Sequence, residues 1–568
     1  MAVYLHLDRI GSIPAIGMTM KTELKLIHDL SRDLALRRVH HGITMLDRTE
    51  DQWSRLTPKQ PCATETLLLL ARWVDIGYRD HHLLDALLQR FSGECRRKLP
   101  LENYLRLRMV EAFRALCVEE VDVAIETLDF VLRAEPEPPD EQRMMLARFW
   151  KGRAHRKKGE YELAVKEITL ARELSQKDRE NAMFTSVVQI HESWLLFQKG
   201  LRKAALQLLS RAEATLKDTD HYLALGNIES ARGRIVRRSG EYAKALEHFD
   251  RAIEIYSSGN PSHRNLARSL VNAAYVKRLL ALQLRRKIDS RPRTANRERS
   301  DGHAAQKAFN PTSLRARHEQ LCHEAIQQLN RAREIYSLSG HSSGLGAVIV
   351  NSGHLHLDRG DIDRASQEAV EGYRIGLEKN DHILMARSLV LQTATENAKI
   401  DEQLGEDVDI ALHANKAKQF SEQALALAKH TQHRRLLAAA YIARGMTAAN
   451  EFFQDWELAK RCASEAAELI GAGENDHLLD DLAALKSHIM QASGINDTIR
   501  SWCEGMLDGK TFQQVTEEFA EIVIPKVWLR EGKKISRVAA CLSISPKKVR
   551  RILSNTGSFD RSKSTSIL

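Results

Sequence analysis

The densest chemistry in this chain lies near its carboxy-terminal end. Ser545 and Pro546 lead into Lys547, Lys548, Arg550 and Arg551, interleaved with Val549, Ile552 and Leu553. Ser545 is a good N-cap, and Pro546 suits the first turn of a helix. On that helix the apolar residues share one stripe and the four cations fall outside it. A row of guanidinium and ammonium groups matches phosphates and base edges, so such a helix suits a DNA major groove. Lys533, Lys534 and Arg537 add cations just upstream. Val538, Leu542, Ile544, Val549 and Leu553 form the expected buried set, with Ile552 at its edge and Ala539 where the helices cross.

Other chemistries leave weaker traces. No HExxH and no GxGxxG occurs. Gly509-Lys510-Thr511 has the letters that end a phosphate loop, but Gly505 is one residue too close and no strand precedes it. Gly340-His341-Ser342-Ser343-Gly344 matches GxSxG by letter, yet it joins two helices rather than a strand and a helix. The 23 histidines are scattered. Pairs such as His40-His41 and His81-His82 are adjacent, so on a helix they point about 100° apart and make poor joint ligands. The seven tryptophans fall in helical stretches and are expected in the core. We therefore expect no catalytic residues, no metal site and no cofactor.

The formal charge of +10 is unevenly spread. Residues 526–563 carry a net +9 and residues 285–317 a net +7, leaving −6 for the remainder. Clustered positive charge focuses potential on a polyanion, which a diffuse excess does not. Within 285–317 only Phe309 offers an aromatic surface, so this stretch reads as an insertion rather than a nucleic-acid contact.

Those segments need a frame. In 568 residues, 43% hydrophobic and 28% charged, there is ample material for a core. Only 29 glycines and 12 prolines occur, too few for an all-β fold with many tight turns. Seven scattered cysteines without a CxxC pair argue against a disulfide framework and for a reducing compartment. No apolar run approaches a membrane span, and the first residues lack the pattern of a secretory signal. The expected location is the cytoplasm.

The frame repeats. Gly159-Glu160-Tyr161, then Ala164, Ile168 and Ala171, align without a gap on Gly240-Glu241-Tyr242, then Ala245, Phe249 and Ala252. Gly152 and Gly233 each stand seven residues before the loop glycine. Gly200 with Ala205, Leu209 and Ala212 falls between them, at spacings of 41 and 40. Gly353, Gly360, Ala365 and Gly372 repeat the frame, and weaker copies surround Ala124, Ala417 and Ala459. Each unit reads as two amphipathic helices whose loop glycine supplies a left-handed residue, and such units must stack to bury their apolar faces.

This pattern resembles the tetratricopeptide repeat family, good at 145–175 and 226–256, fair at 346–376, and degenerate elsewhere, over roughly residues 60–490. The resemblance implies an α-solenoid with a concave groove for a protein or peptide partner. The degenerate units leave the register of that groove open. The carboxy-terminal segment, over about 510–555, is similar to the helix-turn-helix of the Fis family, also found at the end of bacterial enhancer-binding activators. Ser536-Arg537-Val538-Ala539, Ile544-Ser545, Val549 and Leu553 follow its register. Gly532 lies one residue early, Lys534 stands where that family has Asn, and Ser543 takes the turn position of a glycine. The resemblance implies that Ser545, Lys547, Arg550 and Arg551 face bases, while Lys533, Lys534, Arg537 and Lys548 hold phosphates. It also implies a homodimer through residues 496–524.

The expected fold class is all-α: an α-solenoid of tetratricopeptide-like hairpins followed by a small helix-turn-helix domain. Residues 1–60 form a helical cap, with a helix over 22–46. Residues 61–494 form the solenoid, interrupted by a disordered insertion at about 286–313. Residues 495–568 form the DNA-binding domain, where Pro525 kinks or ends a helix and a disordered tail starts near 556. The expected protein is a non-enzymatic bacterial regulator binding double-stranded DNA. The alternative is a scaffold whose terminal hairpin serves protein contacts alone.

Overall fold

Gly159, Gly200, Gly240 and Gly360 follow helix ends with φ of +89°, +84°, +78° and +81°. A side chain strains this left-handed conformation, so glycine turns the chain back there at no steric cost. The returning helix then needs small residues where it crosses its partner. Ala164, Ala171, Ala245 and Ala252 are fully buried. A Cβ on Gly152 would stand 2.7 Å from Ile168 Cγ1, and one on Gly233 would stand 2.9 Å from Phe249 Cε1. These are the small–large–small contacts that the repeat spacing predicts. Ala124, Ala417 and Ala459 of the weak copies are also fully buried.

The computed structural model describes residues 14–289, 311–402, 409–471, 473–492, 502, 505, 507 and 509–556. Helices α1 (Pro14–Leu36), α2 (Val39–Arg48), α3 (Glu50–Trp53), α4 (Ala63–Asp75), α5 (His82–Leu88) and α6 (Glu94–Arg97) come first. Hairpins follow: α7 (Leu101–Cys117) with α8 (Val121–Arg133), α9 (Glu141–Lys158) with α10 (Tyr161–Gln176), and α11 (Ala182–Gln198) with α12 (Arg202–Leu216). Next come α13 (Tyr222–Arg238) with α14 (Tyr242–Gly259), α15 (Arg264–Asp289) with α16 (Pro311–Leu338), and α17 (Ser342–Asp358) with α18 (Ile362–Glu378). The series ends with α19 (His382–Asp401), α20 (Ile410–Lys429), α21 (Arg434–Ala448), α22 (Trp456–Leu469) and α23 (His477–Ala492). The fold is all-α, a solenoid of tetratricopeptide-like hairpins, and no strand occurs among the described residues.

The chain divides into two units, residues 1–485 and 486–568. Within the first unit the superhelix closes on itself. Asp220 caps α2, accepting from Val39 N at 2.6 Å and His40 N at 2.7 Å. Glu119 accepts from Ser343 N at 3.0 Å, ahead of most of α17. Gly159 O accepts from Gln432 N at 3.2 Å, and Arg238 O accepts from Asn475 N at 2.8 Å. Loops far apart in sequence therefore meet around the space between the inner helices.

Two local expectations change. The single helix over 22–46 is two helices, broken at Arg37, whose φ of +55° ends α1. The expected loop at 286–313 is shorter at both ends, because α15 runs to Asp289 and α16 starts at Pro311. Its centre, 290–310, lies outside the described residues, as does the expected tail beyond 556.

The second unit contains α24 (Phe512–Arg530), α25 (Ile535–Cys541) and α26 (Pro546–Asn555). Thr511 and Gln514 form a capping box at the start of α24. Pro525 neither ends nor interrupts this helix. A mid-helix proline costs about 3 kcal/mol through a missing hydrogen bond and a clash. Burial of Ile524 and Val527 on either side opposes that cost.

Candidate functional site

Two regions carry candidate chemistry, one in each unit. In the second unit Ser545 accepts from Lys548 N at 3.2 Å and so caps α26. Val549, Ile552 and Leu553 turn inward against Ile524, Val527, Val538 and Ala539. Ile552 is 3% exposed, a full core member rather than an edge residue, while Leu542 and Ile544 are only half-buried. The tight turn places Ser543 at φ +54°. Gly532 and Lys533 both turn left-handed, at +66° and +62°, and Lys533 N donates to Trp528 O at 2.8 Å. A two-residue left-handed turn thus occupies the position where the Fis pattern has one glycine.

Lys533, Lys534, Arg537, Ser545, Lys547, Lys548, Arg550 and Arg551 are all exposed. Lys547, Lys548, Arg550 and Arg551 share α26, opposite its buried face. Arg551 lies 3.6 Å from Glu517, both side chains more than half exposed, so this pair opens readily to another anion. Phe512 and Phe519 on α24 are 85% and 46% exposed.

The region in the first unit has no counterpart among the sequence expectations. The inner helices surround a cavity of about 450 Å³. Its wall carries eight arginines, at 37, 72, 153, 156, 234, 264, 268 and 387, together with Lys157. One carboxylate, Asp75, stands against them. Arg153 Nη1 lies 2.7 Å from Asp75, and Trp150 Nε1 donates to the same carboxylate at 3.1 Å. Lys157 Nζ pairs with Glu119 at 2.9 Å. Arg268 donates to Asn227 Oδ1 at 3.1 Å and to Asn265 Oδ1 at 2.9 Å. The Arg156 guanidinium lies 5.2 Å from the Trp194 ring centroid. Trp194, half-buried against the core, thus also lines the cavity wall.

The electrostatics follow from crowding. Burial, and then Arg268 and Arg153, bring the Arg156 pKa down to about 9. Burial, then Arg268 and Arg156, lowers that of Arg234 well below its ordinary value. Burial brings Arg37 and Arg72 to about 10, with Arg72 adding to the effect on Arg37. Burial and the neighbouring arginines also hold His191, His221 and His263 neutral, His263 at about 3. Dehydration and like charge both disfavour the ionised form.

A signal for this site exists in the repeat. Inner-helix positions recur at 153, 194 and 234, holding Arg, Trp and Arg, and at 146, 187 and 227, holding Leu, Val and Asn. Aligning units on the loop glycines brings these columns together, because equivalent helices turn equivalent faces inward. Elsewhere, His81, His82 and Asp85 bring three ligand-type atoms within 4.8 Å of one another. The adjacent histidines do not diverge, because His81 is the N-cap residue and its ring lies 4.2 Å from that of His82. Arg114 already holds Asp85 at 2.7 Å, and its charge opposes a cation there.

No helix among the described residues is long and apolar enough to cross a membrane. No family model matches the chain, and no curated protein does. Among solved structures, a Rap protein complexed with competence and sporulation factor is 11% identical, covering 73% of this chain and 98% of its own, with a TM-score of 0.48. The apo form of the quorum sensor NprR from B. thuringiensis is 12% identical, covering 79% and 99%, with a TM-score of 0.36. The human IFIT1 dimer with PPP-AAAA is 12% identical, covering 81% and 95%, with a TM-score of 0.40.

Proposed function

We propose that this chain is a DNA-binding transcriptional regulator, with a solenoid that receives a signal and a terminal helix-turn-helix of Fis type that grips the duplex. One observation carries the reading. On α26 the four cations stand in solvent while Val549, Ile552 and Leu553 anchor the opposite face. A helix held in this way enters a major groove without unfolding its support. Ser545, Lys547, Arg550 and Arg551 address bases, and Lys533, Lys534, Arg537 and Lys548 address phosphates. The exposed Phe512 and Phe519 supply apolar surface for a second copy, which sets two recognition helices about 34 Å apart.

The solenoid acts as the sensor through its enclosed cavity. The expectation of a protein or peptide partner narrows here, since 450 Å³ admits a small ligand or a few residues and not a folded surface. Effector binding at the inner helices alters superhelix curvature, and through it operator affinity. A scaffold reading draws on the Arg551–Glu517 pair, which in that case turns one guanidinium away from DNA.

The test is fluorescence anisotropy of the full chain on duplex DNA across a salt series. A regulator binds much more weakly as salt rises, because several phosphates are neutralised on binding. The double variant Arg550→Ala, Arg551→Ala weakens specific binding by about 1–3 kcal/mol for each base that is no longer read. Equal affinity of wild type and variant removes this helix from the recognition role and leaves the scaffold.

A further inference from the structure

We propose that the arginine-lined cavity of the solenoid binds a small molecule with adjacent phosphate groups, of the nucleotide class. The inference deepens the sensor reading above and rests on it only for its regulatory meaning; the binding itself stands alone.

Charge is the first argument. Of the eight arginines on the wall, Arg153 alone has a carboxylate within 4.0 Å among the described residues. The others line the same space of 450 Å³, Arg387 as an exposed residue. A fold gains nothing from dehydrating cations without partners, and burial makes Arg37, Arg72, Arg156 and Arg234 harder to protonate. Stability alone favours apolar residues at such positions. A ligand that supplies the missing negative charge gives the cluster a purpose.

The second argument is the set of groups left waiting. Arg37 is 5% exposed and its Nε has no hydrogen-bond partner. His221 is 3% exposed and its Nδ1 has none. Arg268 Nε and His191 Nδ1 are buried atoms in the same condition. All four residues line the cavity. Buried polar groups are ordinarily satisfied, and four residues of this one wall depart from that rule.

The third argument selects phosphate over carboxylate. Acidic side chains on a peptide bring one charge per residue and are spaced along the backbone. Adjacent phosphoryl groups bring up to two charges each and three acceptor oxygens within a few ångströms. Guanidinium forks converging from α9, α13 and α15 match that density, often in bidentate fashion. Trp194 and Phe184 offer aromatic surface on the same wall, and Asn227 and Asn265 offer amides. A planar base can stack on the former and exchange hydrogen bonds with the latter.

The experiment is isothermal titration of the full chain, free of DNA, with sodium tripolyphosphate, ATP, adenosine and hexaglutamate at constant ionic strength. Thermal unfolding of the same samples runs in parallel. Tripolyphosphate and ATP each bind one per chain and raise Tm, ATP at least tenfold tighter, and adenosine at least a hundredfold weaker than ATP. Arg156→Gln, Arg234→Gln and Arg268→Gln each lower ATP affinity at least tenfold while ligand-free Tm stays level or rises. A merely structural arginine gives the opposite Tm change. The proposal is overturned if folded wild type binds neither phosphate probe, if hexaglutamate binds more tightly than tripolyphosphate, or if the glutamine variants bind ATP as wild type does. Because no DNA is present, failure of the DNA-binding reading leaves these results untouched, and their failure leaves that reading standing.

Discussion

The cavity of the solenoid and the outer face of α26 use the same residue types in opposite settings. On α26 Lys547, Lys548, Arg550 and Arg551 stand in water, and no fold energy is spent on keeping them charged. In the cavity Arg37, Arg72, Arg156 and Arg234 are made harder to protonate by burial before any neighbour acts. The first cluster is ready for a partner of any length that passes along the surface. The second admits only what fits inside and holds it by relief of repulsion. Exposed charge thus favours association rate and salt-sensitive gripping, whereas enclosed charge favours selectivity.

The comparison breaks most visibly by charge removal on each side. Arg550→Ala with Arg551→Ala is expected to weaken DNA binding by about 2–6 kcal/mol in total, when each arginine reads one base. Chain stability should move by less than about 0.5 kcal/mol, as for other exposed sites. Arg156→Gln should do the reverse: stability held or raised, DNA affinity of the ligand-free chain unchanged. Anisotropy and thermal melts on both variants read all four quantities. If Arg156→Gln lowers DNA affinity directly, the two clusters act as one site and the contrast fails.

The two clusters also differ in how far the sequence reveals them. The α26 group is contiguous, so a net charge of +9 over 526–563 exposes it at once. The cavity group is drawn from the turn after α1 and from α4, α9, α13, α15 and α19, and sits in a body whose remaining net charge is negative. Surface acids such as Glu371 and Glu378 offset it in any linear count. The hairpins themselves were legible, because Gly159, Gly240, Ala245 and Phe249 report a local geometry that each unit repeats. Superhelix closure was not, since pairings such as Gln432 with Gly159 join a repeat loop to a distant segment with no shared pattern. Pro525 misled for a related reason: local propensity gave way to tertiary burial of its neighbours.

Closure supplies the next prediction. Gly240 lies at φ +78°, and a Cβ there would stand 2.3 Å from the backbone oxygen of Asn475. Gly360 lies at φ +81° with open space around it. Gly240→Ala is therefore expected to destabilise by about 2–4 kcal/mol, from left-handed strain plus overpacking. Gly360→Ala should cost only about 1–2 kcal/mol, from strain alone. Denaturant melts measure both. Tripolyphosphate affinity should fall in the first variant only, because that variant forces apart loops that close the superhelix.

Acidity sharpens the contrast further. His191, His221 and His263 are kept neutral by burial and then by arginines: Arg156, Arg153, Arg268 and Arg234 for His191, Arg37 for His221, Arg264 and Arg268 for His263. In the unfolded chain each titrates near about 6.5. Below that value the unfolded chain binds more protons, so stability rises with pH across this window. It is complete above about pH 6.5. Each such histidine withdraws about 1.4 kcal/mol per pH unit as pH falls, for His263 until about 3. Tm should therefore drop between about pH 7 and 5, and tripolyphosphate should flatten the drop by letting the histidines protonate beside a bound anion. The α26 unit holds no histidine beyond residue 488 and should contribute no such slope.

The smallest effect lies in the turn that supports α26. Ser543 sits at φ +54°, where an L side chain costs about 1–2 kcal/mol relative to a relaxed backbone. Glycine removes that strain but raises unfolded-chain entropy, which returns part of the benefit. Ser543→Gly should therefore stabilise the second unit by only about 1 kcal/mol, read as roughly fivefold slower hydrogen exchange at the amides of Val549, Ile552 and Leu553. DNA affinity should hold or rise slightly, since Ser543 is not among the residues assigned to DNA and a firmer turn pre-organises those that are. Weaker binding together with stronger protection is the informative failure. It would mean that recognition needs the helix to reorient on the strained turn, and that the exposed cluster is less ready for its partner than its solvent-facing cations suggest.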